Sequence, residues 1–348
     1  MGGSTLDDRY PRAAPPLGPD APTAVVSIPG APATPLPDDY PPEPESPAPH
    51  GERGAWLSGF LLGLVGLGVV AALVVVGLLL LAGAPPRTVL LVGVDERPDE
   101  QARGIPGHTD TIAVLALPPR GGATLISFPR DLWVTIPGYG EQRLNVAYPL
   151  GAQEGQPAGG PRLLERTISA GFGLPVDRWA RVDFHGFAAL VDALGGVDIT
   201  VPRTLVDDTY PTEDYGTRRL VILAGAQHMD GATALAYVRT RAPDSDFGRM
   251  ARQQQMLAAL RDQALTPAGL ARLPGALTTL PSAISSDLSA RETLALLRVL
   301  ATLPRDRLRP LVIGPDLAPP RTTAGGADVL MPHTDAIRQV IAAALAGS

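Results

Sequence analysis

TVLLVGVDERPDEQARGIPGHTDTIAVLALPPRGGATLISFPR, residues 88–130, decides how the rest of the chain folds. Three apolar runs within it, 88–94, 111–117 and 123–128, are rich in β-branched residues and bounded by turn formers, which predicts three strands. The PPRGG link at 118–122 is short enough for a hairpin between the second and third. If the three run up, down and up as neighbours, one sheet edge gathers Asp95, Asp110 and Arg130. Two carboxylates and an arginine brought together by topology suit a divalent-metal phosphoryl site. Hard oxygens hold Mg²⁺, and guanidinium groups offset phosphate charge. Taken singly, Asp95 and Asp110 read as ordinary strand-end turn residues.

Residues 136–160 read as a Gly- and Pro-rich loop holding RLNVAY (143–148). Asn145 within it is the sole asparagine of the chain, either a substrate hydrogen bond or a turn cap. Beyond lie a helix near 162–170, a strand at 180–183, a helix at 185–194 and, after Gly195-Gly196, a strand at 197–201. A polar excursion at 203–219 precedes a strand at 220–223, and Asp230 caps a helix through Ala236. Strands interleaved with helices imply an α/β sandwich around a mixed sheet.

That helix delivers the chain to YVRTRAPDSDFGRMARQQQM, residues 237–256. In a helix starting near Phe247, Arg249, Arg252, Gln253 and Met256 fall at i, i+3, i+4 and i+7 and share a face. If the upstream segment is extended, Arg239 and Arg241 leave the same side of a strand. Guanidinium forks converging from both would clamp a phosphate or pyrophosphate bidentately. The competing reading is a solvated helix face. Beyond Arg261, Pro-interrupted helices, a strand near 311–313 and a helix at 335–345 offer packing support and no legible chemistry.

Composition narrows the chemistry. The chain has no cysteine, and all 29 basic residues are arginine, so thiolate chemistry, Schiff bases and a P-loop lysine are excluded. A net charge of −6 argues against a nucleic-acid partner. No GxGxxG, GxSxG or HExxH occurs, which argues against a dinucleotide enzyme, a triad hydrolase and a zinc protease. Residues 1–53 are rich in Pro and acidic residues with no periodic apolar pattern, and read as a disordered tail. From Ala55 to Ala84 no residue is charged, which is long enough to cross a ~30 Å hydrocarbon layer as one uncleaved membrane anchor. Arg53 and Arg87 flank it, so charge leaves its orientation open.

GVDER (93–97), HTDT (108–111), LISFPRDLWV (125–134), RLNVAY (143–148), RVDFHGFAALVDALGGVDI (181–199) and DGATALAYVRTRAPDSDFGRMARQQQML (230–257) resemble, in order and spacing, the LytR-CpsA-Psr family. The resemblance implies an α-β-α sandwich with a mixed central sheet, at 88–263, with 264–348 as an extension packed on it. It places the tail in the cytoplasm and the large domain outside the cell membrane. It implies a phosphotransferase that moves a glycopolymer phosphate from polyprenyl (undecaprenyl) pyrophosphate, held in an apolar channel, to a peptidoglycan hydroxyl. By the same resemblance Asp95 and Asp110 are the Mg²⁺ aspartates, Arg130 the PRD arginine, Arg239 and Arg241 the paired RTR arginines, and Arg249 and Gln253 the helix residues at the head group. Arg97 and Arg252 fit the pattern as substrate-binding residues. His108 stands where the family carries arginine, which implies weaker or pH-dependent substrate binding. A non-catalytic polyprenyl-phosphate scaffold or envelope regulator is the alternative.

Overall fold

The computed structural model describes residues 83–96, 103, 106–119, 122–156, 158–212, 216–241 and 245–346. The expected tail, all but the last two residues of the expected anchor, Arg97, and the side chain of His108 lie outside the described residues. Among the described residues no helix is long and apolar enough to cross a membrane.

The chain runs through β1 (Thr88–Asp95), β2 (His108–Ala116), β3 (Ala123–Ser127), β4 (Trp133–Ile136), β5 (Gly140–Arg143), α1 (Ala147–Gln153) and α2 (Gly159–Phe172). Next come β6 (Arg178–Asp183), α3 (Phe184–Ala193), β7 (Val197–Val201), β8 (Leu205–Pro211), β9 (Thr217–Ile222) and β10 (Gly225–Met229). Then follow α4 (Gly231–Arg239), α5 (Asp246–Ala264), α6 (Pro267–Ala283), β11 (Ile284–Ser286), α7 (Ala290–Thr302), β12 (Leu308–Val312), β13 (Pro320–Thr322), β14 (Asp328–Leu330) and α8 (Thr334–Ala346).

Six strands form the central sheet in the order β11-β6-β1-β2-β3-β12. β1, β2 and β3 are antiparallel neighbours, as the up-down-up reading requires, while β6 joins β1 and β12 joins β3 in parallel. Parallel joins need long crossovers, and the intervening helices supply them.

Alternation along β1 divides the core. Leu90, Val92 and Val94 face a layer built from Leu163, Leu164, Ile168 and Phe172 of α2 with Ile337 and Ile341 of α8. Burying each such side chain stabilises by about 1.5–3 kcal/mol relative to exposure. Phe128, just past β3, stacks on Phe172 with ring centroids 5.5 Å apart. On the opposite face, Ala113, Leu115, Ala123 and Leu125 meet Leu296, Val299 and Leu300 of α7. A further core joins α3, α4, α5 and β7 through Val191, Tyr237, Met256 and Ile199. Gly195 and Gly196, at φ +83° and +87°, make the left-handed turn from α3 into β7.

Several expectations change in detail. The supposed loop at 136–160 contains β5, which pairs back on β4 in a hairpin, and α1, whose sequence AYPLGAQ is too short for a helical period to register. The polar excursion is a second hairpin, β8–β9; Thr217, Arg218, Arg219 and Val221 are exposed, so β9 lacks the apolar alternation that marks a strand. Arg239 and Arg241 do not share a strand, because α4 continues through Arg239 and Thr240 is its C-cap. The C-terminal region supplies both edge strands of the sheet, β11 and β12.

Candidate active site

Gly93 pairs with Thr111 and Val94 with Thr109, so Asp110 is the extra residue of a β-bulge on β2. Such a bulge re-aims a side chain that regular pairing would send elsewhere. The Asp110 carboxylate Oδ1 accepts from Arg130 Nη1 at 2.7 Å and Arg241 Nη2 at 3.4 Å, with Arg249 Nη1 at 4.0 Å. Asp95, at the end of β1, accepts from Arg239 Nη2 at 3.1 Å. Arg130 follows β3 and is fixed by its backbone: the Asn145 N–H donates to the Arg130 carbonyl at 3.0 Å. The Asn145 carbonyl accepts from Thr109 Oγ1 at 3.3 Å. Asn145 therefore ties the start of β2 to the arginine loop, and its own Oδ1 is buried without a hydrogen-bond partner.

From the other side, α4 and α5 bring the remaining cations. Asp230 caps α4 by accepting from the Thr233 N–H, and the helix ends on Arg239, whose guanidinium lies over the Phe184 ring at 4.2 Å. On α5, Arg249 is 1% exposed. Its Nη2 donates to Asp246 Oδ2 at 3.1 Å, while Nε and Nη1 are buried with no hydrogen-bond partner. Gln253, one turn on, donates to the Val238 carbonyl at 3.4 Å. Arg252 does not share this face. It is buried behind it, donating from Nε to the Tyr237 carbonyl at 3.0 Å and from Nη2 to the Thr240 carbonyl. The helix stripe at the site is Arg249, Gln253, Met256, Leu257 and Leu260.

Sequence reasoning did not assign a role to Asp246, yet it meets three arginines: Arg249, Arg130 Nε at 3.5 Å and Arg241 Nε at 3.9 Å. Its position in the first turn of α5 was the available signal, because an acidic residue there complements the helix dipole. Arg130, Arg239, Arg241 and Arg249 thus interlock with Asp95, Asp110 and Asp246. Burial pushes the Asp110 carboxyl up, but Arg249, Arg130 and Arg241 outweigh it and hold the group below its ordinary value. Burial pulls Arg249 below its usual value against the pull of Asp246 and Asp110, and its guanidinium stays charged at neutral pH.

Two cavities meet here. One is a slot of about 290 Å³ between the β1–β6 face and α3, α4 and α5, walled by Leu91, Ala180, Phe187, Leu190, Val238 and Met256 among others. Gly93 lines it too; a Cβ there would stand 2.8 Å from the Thr111 Cβ, so glycine keeps this wall flat. The other is a polar cleft of about 540 Å³ lined by Asp95, Asp110, Asp207, Thr209, Arg239, Thr240 and Arg241. Asp110 and Arg239 border both. An apolar slot opening onto clustered guanidinium groups suits an amphiphile with an anionic head.

A profile of the LytR_cpsA_psr family matches residues 82–343, and the chain belongs to the LytR-CpsA-Psr family. The Probable cell wall biosynthesis protein LcpB of Corynebacterium glutamicum is 39% identical over 165 residues, 47% of this chain and 36% of that protein. The polyisoprenyl-teichoic acid–peptidoglycan teichoic acid transferase TagU of Oceanobacillus iheyensis is 32% identical over 203 residues, 58% of each. The chain spans between about a third and three-fifths of the length of these relatives. In fold it is similar to Bacillus subtilis TagV, with a TM-score of 0.61 at 23% identity over 76% of this chain and 99% of that one. It is likewise similar to TagT with bound octaprenyl pyrophosphate lipid, with a TM-score of 0.54 at 22% identity over 76% and 91% of the two chains.

Proposed function

We propose that this chain is a membrane-anchored, Mg²⁺-dependent phosphotransferase that moves a glycopolymer phosphate from a polyprenyl pyrophosphate lipid to a peptidoglycan hydroxyl. The observation that carries it is Arg249, buried in the slot wall 4.0 Å from Asp110, which borders both cavities, with two donors lacking a hydrogen-bond partner. Buried donors without acceptors are costly, and a diphosphate there would satisfy them. TagT with octaprenyl pyrophosphate and the transferase TagU support the choice of lipid and reaction. The helices on both faces of the sheet support an α-β-α sandwich, the uncharged run at 55–84 supports a single anchor, and the resemblance to the family supports a domain outside the cell.

The isoprenoid tail lies in the slot, and Arg130, Arg239, Arg241 and Arg249 hold the diphosphate at its mouth. Displacing Asp246 from three of these arginines frees their forks for phosphate oxygens. The acceptor hydroxyl attacks the glycan-bearing phosphorus, the bond to the bridging oxygen breaks, and polyprenyl phosphate leaves with that electron pair. The hydroxyl proton passes to a carboxylate of the cleft. Asp95 and Asp110 both line that cleft and are the carboxylates placed to take it. Positioning and charge neutralisation carry most of the rate.

Asp95 and Asp110 line one cleft and fit Mg²⁺, which is typically held by one or two carboxylates together with substrate phosphates. Among the described residues no cluster of three or more acidic or histidine side chains offers an all-protein metal cage. Bound there, Mg²⁺ would supply further neutralisation of diphosphate charge.

The test is the full chain in detergent micelles with Mg²⁺, a glycan-bearing polyprenyl pyrophosphate and a peptidoglycan fragment. Polyprenyl phosphate release that disappears in Arg249→Ala and on chelation is expected. Tight lipid binding without release by the wild type would make it a scaffold and overturn the transferase reading.

A further inference from the structure

We infer that Asp207 is a positioning residue that sets the geometry of the Arg239 and Arg241 pair through Thr240. This rests on the functional reading above. Thr240 lies between the two arginines and is 1% exposed. Its hydroxyl donates to Asp207 Oδ2 at 2.6 Å, and its carbonyl accepts from the buried Arg252. Both ends of the residue are therefore pinned, one by a carboxylate on β8 and the other by a guanidinium on α5.

The strand supplying the carboxylate is shaped for this. In a regular strand residues three apart point to opposite faces. The β8–β9 register shifts between Asp207 and Tyr210, adding one residue to β8, and both side chains are 5% exposed. The bulge thus turns Asp207 and Tyr210 inward together. Asp207 Oδ1 accepts from the Thr209 N–H at 3.0 Å and its hydroxyl at 3.3 Å, which aims Oδ2 at Thr240. Tyr210 lies 5.8 Å from the Arg239 guanidinium, so one hairpin braces both the pin and one of the arginines it serves.

Guanidinium forks gain bidentate strength only when their planes are fixed. Arg241 is the more exposed of the pair, at 47% of its side chain against 16% for Arg239, and depends most on the backbone at Thr240. Hairpin β8–β9 is then part of the anion site, although neither Asp207 nor Thr240 need touch the anion.

Isothermal titration of the full chain in detergent with inorganic pyrophosphate tests this. Thr240→Val keeps the side-chain shape and removes the donor; it should weaken pyrophosphate binding about 10-fold, as should Asp207→Ala, while Thr240→Ser stays within about 2-fold. Combining Asp207→Ala with Thr240→Val should cost no more than either alone. In an Arg239→Ala, Arg241→Ala background, Thr240→Val should cause no further loss. A full additional loss there would mean a general structural role and overturn the inference, as would unchanged affinity in Thr240→Val. If Asp207→Ala fails to fold, the Thr240 variants decide. A wild type that binds no pyrophosphate would sink the functional reading together with this one.

Discussion

Replacing Arg249 with methionine separates the needs of the fold from those of the site. In the ligand-free protein, Nε and Nη1 are buried without hydrogen bonds, at a cost of about 1–3 kcal/mol each. Against this stand the 3.1 Å contact with Asp246 and the longer ion pair of Nη1 with Asp110 at 4.0 Å. A hydrogen bond between charged groups contributes about 1.5–3 kcal/mol. Asp246 keeps Arg130 and Arg241 nearby, and Asp110 keeps Arg130 at 2.7 Å, so neither carboxylate is stranded. Methionine fills similar space with a flexible apolar chain. Arg249→Met should therefore unfold, without ligand, at or above the wild-type temperature. With ligand the sign reverses: two charge-assisted bonds to a diphosphate, at about 1.5–3 kcal/mol each, amount to at least about 100-fold in affinity. Thermal unfolding with and without a polyprenyl pyrophosphate reads both effects. At 100 times the wild-type Kd, the ligand stabilises wild type by about 2.7 kcal/mol and a 100-fold weaker variant by about 0.4 kcal/mol. A variant that loses about 3 kcal/mol without ligand and keeps the full ligand shift would show that Arg249 is a packing residue, refuting the reasoning.

Two other variants probe the slot and an unrelated half-buried acid. Ala180→Phe places a ring in the slot from β6 and should weaken polyprenyl pyrophosphate binding at least ~10-fold while leaving inorganic pyrophosphate within ~2-fold; calorimetry with both ligands would expose equal losses, which contradict a lipid slot. Burial, with the nearby Asp287 charge, raises the Glu165 carboxyl to about 7. The unfolded chain then ionises before the folded one, so stability is present below the ordinary glutamate value and is lost as pH rises from there towards 7. Glu165→Gln should match wild type near pH 4 and exceed it by on the order of 1–2 kcal/mol at pH 8; equal denaturation midpoints at both pH values would contradict the assignment.

The parts legible in the sequence were those written in short-range pattern. The β-branched runs at 88–94, 111–117 and 123–128 each mark a strand, although the second strand begins earlier, at His108; their order brings Asp110 and Arg130 to one sheet edge, and the bulge at Asp110 completes the 2.7 Å contact. Less legible was anything set by tertiary packing. Helical spacing put Arg252 beside Arg249, but the carbonyls of Tyr237 and Thr240 draw it behind the site. Asp207 sat unremarked in a polar stretch because its burial depends on a bulge and on a partner 33 residues away. The two-residue spacing of Arg239 and Arg241 suggested a strand; a helix end followed by a pinned threonine reaches the same cleft by another path.

Strands β11 and β12, which close the two margins of the sheet, come from the last quarter of the chain. A ribosome delivers β6 and β3 long before them, so during synthesis both borders stay open to pairing with stray chains. Ile284 of β11 also forms part of the slot wall, and the greasy chamber is unfinished until that segment arrives. A polypeptide cut short after α5 would thus pair an aggregation hazard with an incomplete slot, which ties the readiness of the site to synthesis of β11.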